Sequence, residues 1–193
     1  MRIFELGRVF LPDPTINDGP WSVKGINQPQ RIAGLAYGDV NDPQWGEPAR
    51  RVDFFDVKGD VERLVAPLHA RFVREEIPAF HPGRSAAIYV GERRVGVIGE
   101  LHPRLAQTYD LPHSPVVFEI DVAPICSVYV PHYTPVSKFQ PMRRDIAVVV
   151  PADMEVQTLF NAMQKARLGD VRTAPVSDIR LFDLYLSLIH ISE

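Results

Sequence analysis

Hydrophobic residues in the first part of the chain change from strand-like to helical spacing. IFELGRVFL (3–11) and RIAGLAYGDV (31–40) each predict a β-strand, because each apolar segment is followed by turn-forming residues. Asp56 is placed to cap a helix, and Pro67 should kink or end it because proline lacks a backbone donor. The helical pattern itself consists of Val57, Val61, Leu64, Val65, Leu68 and Phe72.

The next segments predict a β-hairpin and one more strand. SAAIYV (85–90) and RVGVIGEL (94–101) carry apolar residues that face each other across the polar turn GERR. A short helix is expected around 103–109, and PVVFEIDV (115–122) alternates between apolar and polar positions. Consecutive strands with only one or two helices favour an α+β fold with a mostly antiparallel sheet.

A second domain is predicted after a proline-rich stretch. APICSVYVPHYTPVSKFQP (123–141) has four prolines and no sustained period, so we divide the chain into domains 1–130 and 131–193. RRDIAVVVP (143–151) predicts a buried strand, and VSDIRLFDLY (176–185) another. Asp153 can cap a helix over 154–167 between them, which gives β-α-β, the first half of a ferredoxin-like unit. One face of that helix consists of Val156, Leu159, Phe160 and Met163.

Composition places the chain among ordinary globular proteins. It has 193 residues, 46% hydrophobic and 23% charged, with a formal net charge of −3. Nucleic-acid binding would therefore depend on a local basic patch. Its single cysteine, Cys126, cannot form an internal disulfide, and no apolar run approaches the ~20 residues that span a bilayer. These features predict a cytoplasmic protein without a membrane segment.

Catalytic chemistry is weakly represented. His81 and His102, each followed by proline, could meet at one end of the hairpin near Glu100, but structural turn residues are the favoured interpretation over a metal-dependent hydrolase. Ser85 lacks a nucleophile elbow, and Cys126 lies in an apolar run. The sequence predicts no catalytic residue and no metal site.

A basic segment offers the main binding candidate. VSKFQPMRRD places Lys138, Arg143 and Arg144 beside Phe139 at the start of the second domain. Lysine and arginine suit phosphate, and an aromatic ring suits base stacking. A structural linker is the alternative.

Six segments in order resemble the C-terminal part of the bacterial phenylalanyl-tRNA synthetase beta chain, and the similarity extends to about Tyr185. No single segment is specific for this family, but the six segments in this order are. These segments are FELGRVF, FFDVKGDVERL, HPGRSAAI, GELHP, FEID and VSKFQPMRRDIAVVV.

The resemblance implies a fold and a function. Residues 1–130 would be part of a class II synthetase-like domain without catalytic residues, and 131–193 a truncated ferredoxin-fold anticodon-binding domain. The tRNA-binding residues would include Lys138, Phe139, Arg143 and Arg144.

In the complete ligase, an alpha chain would charge the tRNA for phenylalanine in an alpha2beta2 heterotetramer. That enzyme would use ATP and magnesium, whereas this segment would bind no cofactor. A stand-alone RNA-binding or protein-interaction module derived from such a subunit is the alternative.

The resemblance also bears on both ends of the sequence. Beta chains of this family extend for several further domains on the N-terminal side, so we expect Met1 to be an internal residue. LSLIHISE (186–193) has no counterpart in the family pattern, and we expect it to be non-native.

Overall fold

The structure is a computed structural model that describes residues 1–126, 130, 132–133, 140, 142–165 and 178–185. The chain divides into two units, Met1–Tyr133 and Thr134–Glu193. The predicted boundary between residues 130 and 131 stays a prediction.

The first unit is built on an antiparallel sheet of six strands. In chain order its elements are β1 (Arg2–Arg8), β2 (Leu11–Pro12), β3 (Ile26–Asn27), β4 (Gln30–Ala36), α1 (Phe54–Val65), β5 (Ala70–Arg74), β6 (Phe80–Val90), β7 (Arg93–Leu101), α2 (Pro103–Thr108), β8 (Val116–Asp121) and α3 (Val122–Ile125). The six strands lie in the order β1-β4-β8-β7-β6-β5, and a separate two-stranded sheet pairs β2 with β3. Three helices complete the described part of the unit. The predicted α+β class with a mostly antiparallel sheet is therefore confirmed.

The first helix begins earlier than predicted and has a different cap. Asp53, not Asp56, is the N-cap, and its side chain accepts the backbone N–H groups of Phe55 and Asp56. Asp56 occupies the third helical position and accepts the N–H of Asp53, which completes a capping box. The pattern alone could not separate these aspartates, because both lie within one turn of the helix start. Termination before Pro67 is confirmed, since α1 ends at Val65.

The core lies between α1 and one face of the sheet. Val57, Val61 and Val65 of the helix are buried against the sheet. Burying a valine stabilises the folded state by about 1.5–3 kcal/mol. On the sheet side, the fully buried side chains include Ile88, Ile98, Val116 and Ile120. The alternation predicted for 115–122 thus identifies the core face of β8.

The predicted hairpin is confirmed and is longer than expected. β6 begins at Phe80, five residues before the predicted start, and pairs with β7 from Phe80–Leu101 to Val90–Arg93. The first predicted strand ends at Arg8, where a separate short strand follows, and the second ends at Ala36. Phe72 lies in β5 rather than in the helix, because α1 has already ended.

Only the helix of the predicted β-α-β unit is present in the described part of the second unit. α4 spans Val156–Lys165 and begins after Glu155, so Asp153 does not occupy the capping position. The strands predicted at 143–151 and 176–185 are not observed in residues 142–151 and 178–185. A strand requires a hydrogen-bonded neighbour, and none of these described residues is paired with another strand.

Candidate functional site

The two His-Pro pairs lie at the same end of the β6–β7 hairpin, where Phe80 is paired with Leu101. Each histidine ring accepts a hydrogen bond from the backbone N–H group two residues further along the chain. His81 Nδ1 accepts the N–H of Gly83 at 3.1 Å, and His102 Nδ1 accepts the N–H of Arg104 at 3.2 Å. His102 is thereby the N-cap of α2. These contacts match the expected role of turn residues.

The other polar groups near this end are also paired. Arg84 Nη1 donates to Glu100 Oε2 at 2.7 Å, and the Glu100 side chain is only 20% exposed. The Ser85 hydroxyl is buried and donates to the carbonyl oxygen of Glu75 at 2.6 Å. Within the described residues, no three His, Cys, Asp or Glu side chains are grouped closely enough to hold a metal ion. These hydrogen bonds fix the strand ends at this side of the hairpin.

Two of the four predicted RNA-binding residues can be located. Arg143 and Arg144 are exposed in a segment without regular secondary structure, and Arg144 Nη2 contacts Met142 Sδ at 3.3 Å. In the described part of the chain, neither guanidinium is paired with a carboxylate. Lys138 and Phe139 lie outside the described residues.

A charged cluster that the sequence did not reveal lies on the sheet face opposite α1. Arg31 of β4 donates to Asp121 Oδ1 at 2.8 Å and to Glu119 Oε1 at 3.1 Å, both on β8. Burial disfavours the charged guanidinium, but the two carboxylates outweigh it and the pKa of Arg31 is raised. The sequence showed only that polar and apolar residues alternate along each of these strands. This alternation does not specify which strand becomes the partner.

A second ion pair joins the loop before α1 to the helix. Arg50 binds Asp56 through two hydrogen bonds of 2.7 Å, and Asp56 is only 12% exposed. The hydrogen bonds from Arg50, followed by that from the Asp53 backbone, lower the pKa of Asp56 to about 2 although burial opposes them. This pair positions the start of the helix.

The segments that suggested a family occupy defined places in this fold. FELGRVF begins in β1, FFDVKGDVERL forms nearly all of α1, and FEID forms the end of β8. The family model described as "Phenylalanyl tRNA synthetase beta chain CLM domain" matches residues 1–122. The chain belongs to the phenylalanyl-tRNA synthetase beta-chain family.

Similar proteins carry the same family name. The phenylalanine–tRNA ligase beta subunit of Burkholderia pseudomallei (strain 1710b) is 55% identical over 183 residues, which are 95% of this chain and 22% of the relative. The beta subunit of Ralstonia nicotianae is 50% identical over 95% of this chain and 23% of the relative. That of Bordetella pertussis is 42% identical over 96% and 23%, respectively. The chain therefore spans less than a quarter of the length of these relatives.

Among the helices that the structure describes, none is both long enough and apolar enough to cross a bilayer.

Proposed function

We propose that this chain is part of the beta subunit of a phenylalanine–tRNA ligase. In that enzyme it contributes to subunit assembly and to tRNA binding during the ATP-dependent charging of tRNA with phenylalanine. The observation that carries the proposal is the similarity to beta subunits of this ligase over 95% of the chain. The partners are an alpha chain, in an alpha2beta2 heterotetramer, and the tRNA for phenylalanine, in the cytoplasm.

In this proposal the segment supports catalysis without performing it. His81 and His102 accept backbone N–H groups, and Glu100 is held by Arg84, so these side chains already serve the fold. The alpha chain carries out activation with ATP and magnesium. The first unit then corresponds to a class II synthetase-like domain that lacks catalytic residues, a finer assignment supported by the antiparallel sheet.

The second unit is proposed to be the beginning of a ferredoxin-fold domain that binds the anticodon region. Support comes from α4, whose Leu159, Phe160 and Met163 are half-buried on one face, and from exposed Arg143 and Arg144. Lys138 and Phe139 complete the proposed tRNA-binding segment, with the ring offered for stacking.

Salt-dependent tRNA binding tests the role of the two arginines. In a complete beta subunit assembled with its alpha chain, changing Arg143→Ala together with Arg144→Ala should weaken tRNA binding. Each lost phosphate contact should reduce the slope of log K against log salt by about 0.7–0.9 units. The measurement is fluorescence anisotropy of labelled tRNA between low and moderate salt.

The matched control changes Arg93→Ala and Arg104→Ala, two exposed arginines of the first unit. This variant should leave the salt slope unchanged. Equal slopes for all three proteins would remove Arg143 and Arg144 from the tRNA-binding surface, while charging activity of the assembly would independently test membership of the ligase.

A further inference from the structure

The loop between β4 and α1 carries a fully exposed tryptophan. Trp45 is 100% accessible, although the large apolar ring of tryptophan is usually buried for most of its surface. The loop covers residues 38–52 and is called the Trp45 loop below. Tryptophan is among the residue types that most often anchor a protein partner, because its rigid ring supplies a large contact area at little cost in side-chain entropy.

Hydrogen bonds at its base hold the Trp45 loop in place. The N–H of Val40 donates to the carbonyl oxygen of Arg50 at 3.0 Å, and the N–H of Val52 donates to that of Gly38 at 2.9 Å. These two bonds close the base of the loop as a short antiparallel pair. Both ends of the loop are therefore fixed, and Trp45 lies on an anchored tip.

The tip of the loop is ordered by its own side chains. Glu47 Oε2 accepts an N–H of Asn41 at 3.0 Å and an N–H of Gln44 at 2.9 Å. Gly46, next to the tryptophan, has a φ of 94°, which glycine adopts without strain. A contact residue on a preorganised loop loses less conformational entropy when it binds. This construction favours a recognition role for the loop over that of a passive connection.

The charge of the Trp45 loop selects the class of partner. Residues 38–49 contain Asp39, Asp42 and Glu47 and no lysine or arginine, which gives a formal charge of −3. Such a surface repels the phosphates of RNA, anionic lipid headgroups and a second copy of itself. A cationic protein surface is complementary, because arginine and lysine pair with carboxylates and also bind the face of an indole ring.

The size and composition of this surface indicate a transient contact. Permanent subunit interfaces bury more than about 2,000 Å² and are more apolar than the rest of the surface. A single loop tip offers much less area than that. One aromatic anchor beside acidic side chains is instead typical of partners that are steered together by charge and dissociate again.

We propose that the Trp45 loop is a docking site for a separate, cationic protein that binds the assembled enzyme reversibly. The partner presents arginine or lysine side chains around an apolar socket that receives the Trp45 ring. Asp39 and Asp42, both exposed, supply the attraction, whereas Glu47 holds the tip in shape. The inference goes beyond the proposed function, and it predicts that charging of tRNA does not depend on this loop.

The first test asks whether Trp45 stays exposed in a complete beta subunit assembled with its alpha chain. Hydroxyl-radical footprinting measures the oxidation rate of this tryptophan in the assembly. The rate should be close to that of the same residue in the urea-unfolded subunit. Strong protection would overturn the inference, because the chains of the ligase itself would then cover the ring.

The second test measures binding of a cationic probe, a fluorescent synthetic peptide in which arginine and leucine alternate. Fluorescence anisotropy gives its Kd for the assembled enzyme. Trp45→Ala should weaken binding about tenfold, as expected for the loss of an aromatic anchor. Asp39→Asn together with Asp42→Asn should also weaken binding and reduce its dependence on salt. The matched control is Trp21→Ala, a tryptophan that is 93% accessible in a loop containing Lys24, and it should leave the Kd unchanged.

Equal Kd values for the parent and Trp45→Ala proteins would overturn the inference. A loss of tRNA affinity in Trp45→Ala would also overturn it, because the loop would then belong to the RNA-binding surface. Charging of tRNA is measured in parallel and should be the same in both proteins. A parent assembly that charges tRNA without binding the peptide refutes only this inference, whereas absent charging refutes the proposed function.

Discussion

The ion pair at the start of α1 determines a measurable part of the stability. Arg50 binds Asp56 through two short hydrogen bonds, and the pKa of Asp56 falls from 3.8 to about 2. Because one pKa unit is worth 1.36 kcal/mol, this lowering corresponds to roughly 2–3 kcal/mol at neutral pH. Because Arg50 is 57% exposed, solvent screening reduces the expected contribution to about 1–2 kcal/mol.

The test is the change Asp56→Asn, which keeps the side-chain shape and removes the charge. A carboxylate whose pKa is lowered by folding stabilises the protein above its unfolded value of 3.8, and this contribution disappears as the pH falls toward 2. The variant should therefore be less stable than the parent by about 1–2 kcal/mol at pH 7, with a difference that shrinks below pH 4. Urea unfolding followed by circular dichroism at pH 7, 5 and 3.5 measures it.

The control is Glu92→Gln in the exposed turn between β6 and β7. Its effect should stay within about 0.5 kcal/mol at each pH. If Asp56→Asn costs as much at pH 3.5 as at pH 7, the loss comes from shape or packing and the electrostatic argument is wrong.

Substitutions at His102, Gly96 and Gly59 test the local geometry. Changing His102→Ala should cost about 1 kcal/mol because the N-cap acceptor of α2 is lost, whereas His102→Asn should retain most of the stability; equal unfolding midpoints for the two variants would exclude capping. Changing Gly96→Ala should destabilise by about 1–3 kcal/mol, because the new methyl group would meet the backbone oxygen of Glu119. Gly59→Ala in α1 meets no atom within 4 Å, so it should be neutral or stabilise by up to about 1 kcal/mol. A Gly96→Ala protein with parental urea stability would contradict the close strand packing.

Local patterns predicted the elements whose signals are contained in a few neighbouring residues. The β6–β7 hairpin follows from two alternating runs around a polar turn, and the end of α1 follows from Pro67. The predicted N-cap was wrong by three residues, because the side chains of Asp53 and Asp56 each accept the backbone N–H of the other residue. Short elements such as β5 contain too few residues to show a period. Phe72 was therefore assigned to the preceding helix.

Long-range pairing could not be predicted from the patterns. The apolar run at 143–151 has the composition of a buried strand, yet a strand forms only when a neighbour supplies the second half of the hydrogen bonds. For the same reason the contact of Arg31 with Glu119 and Asp121 was missed, since nothing local specifies which strands become neighbours. The binding candidates Arg143 and Arg144 came from local composition and stay a prediction.

The strand order of the sheet sets the order in which it can fold. β5, β6, β7 and β8 form a continuous meander in which each strand pairs with the next along the chain. Joining β4 to β8 brings Arg31 to Asp121, 90 residues away. Closing a loop of that length costs about 4 kcal/mol of chain entropy.

The meander should therefore form first, and the β1–β4 pair should join it late in folding. A late-joining pair is also the part that opens first in the native protein, so amides shared between β4 and β8 should exchange with solvent before those shared between β6 and β7.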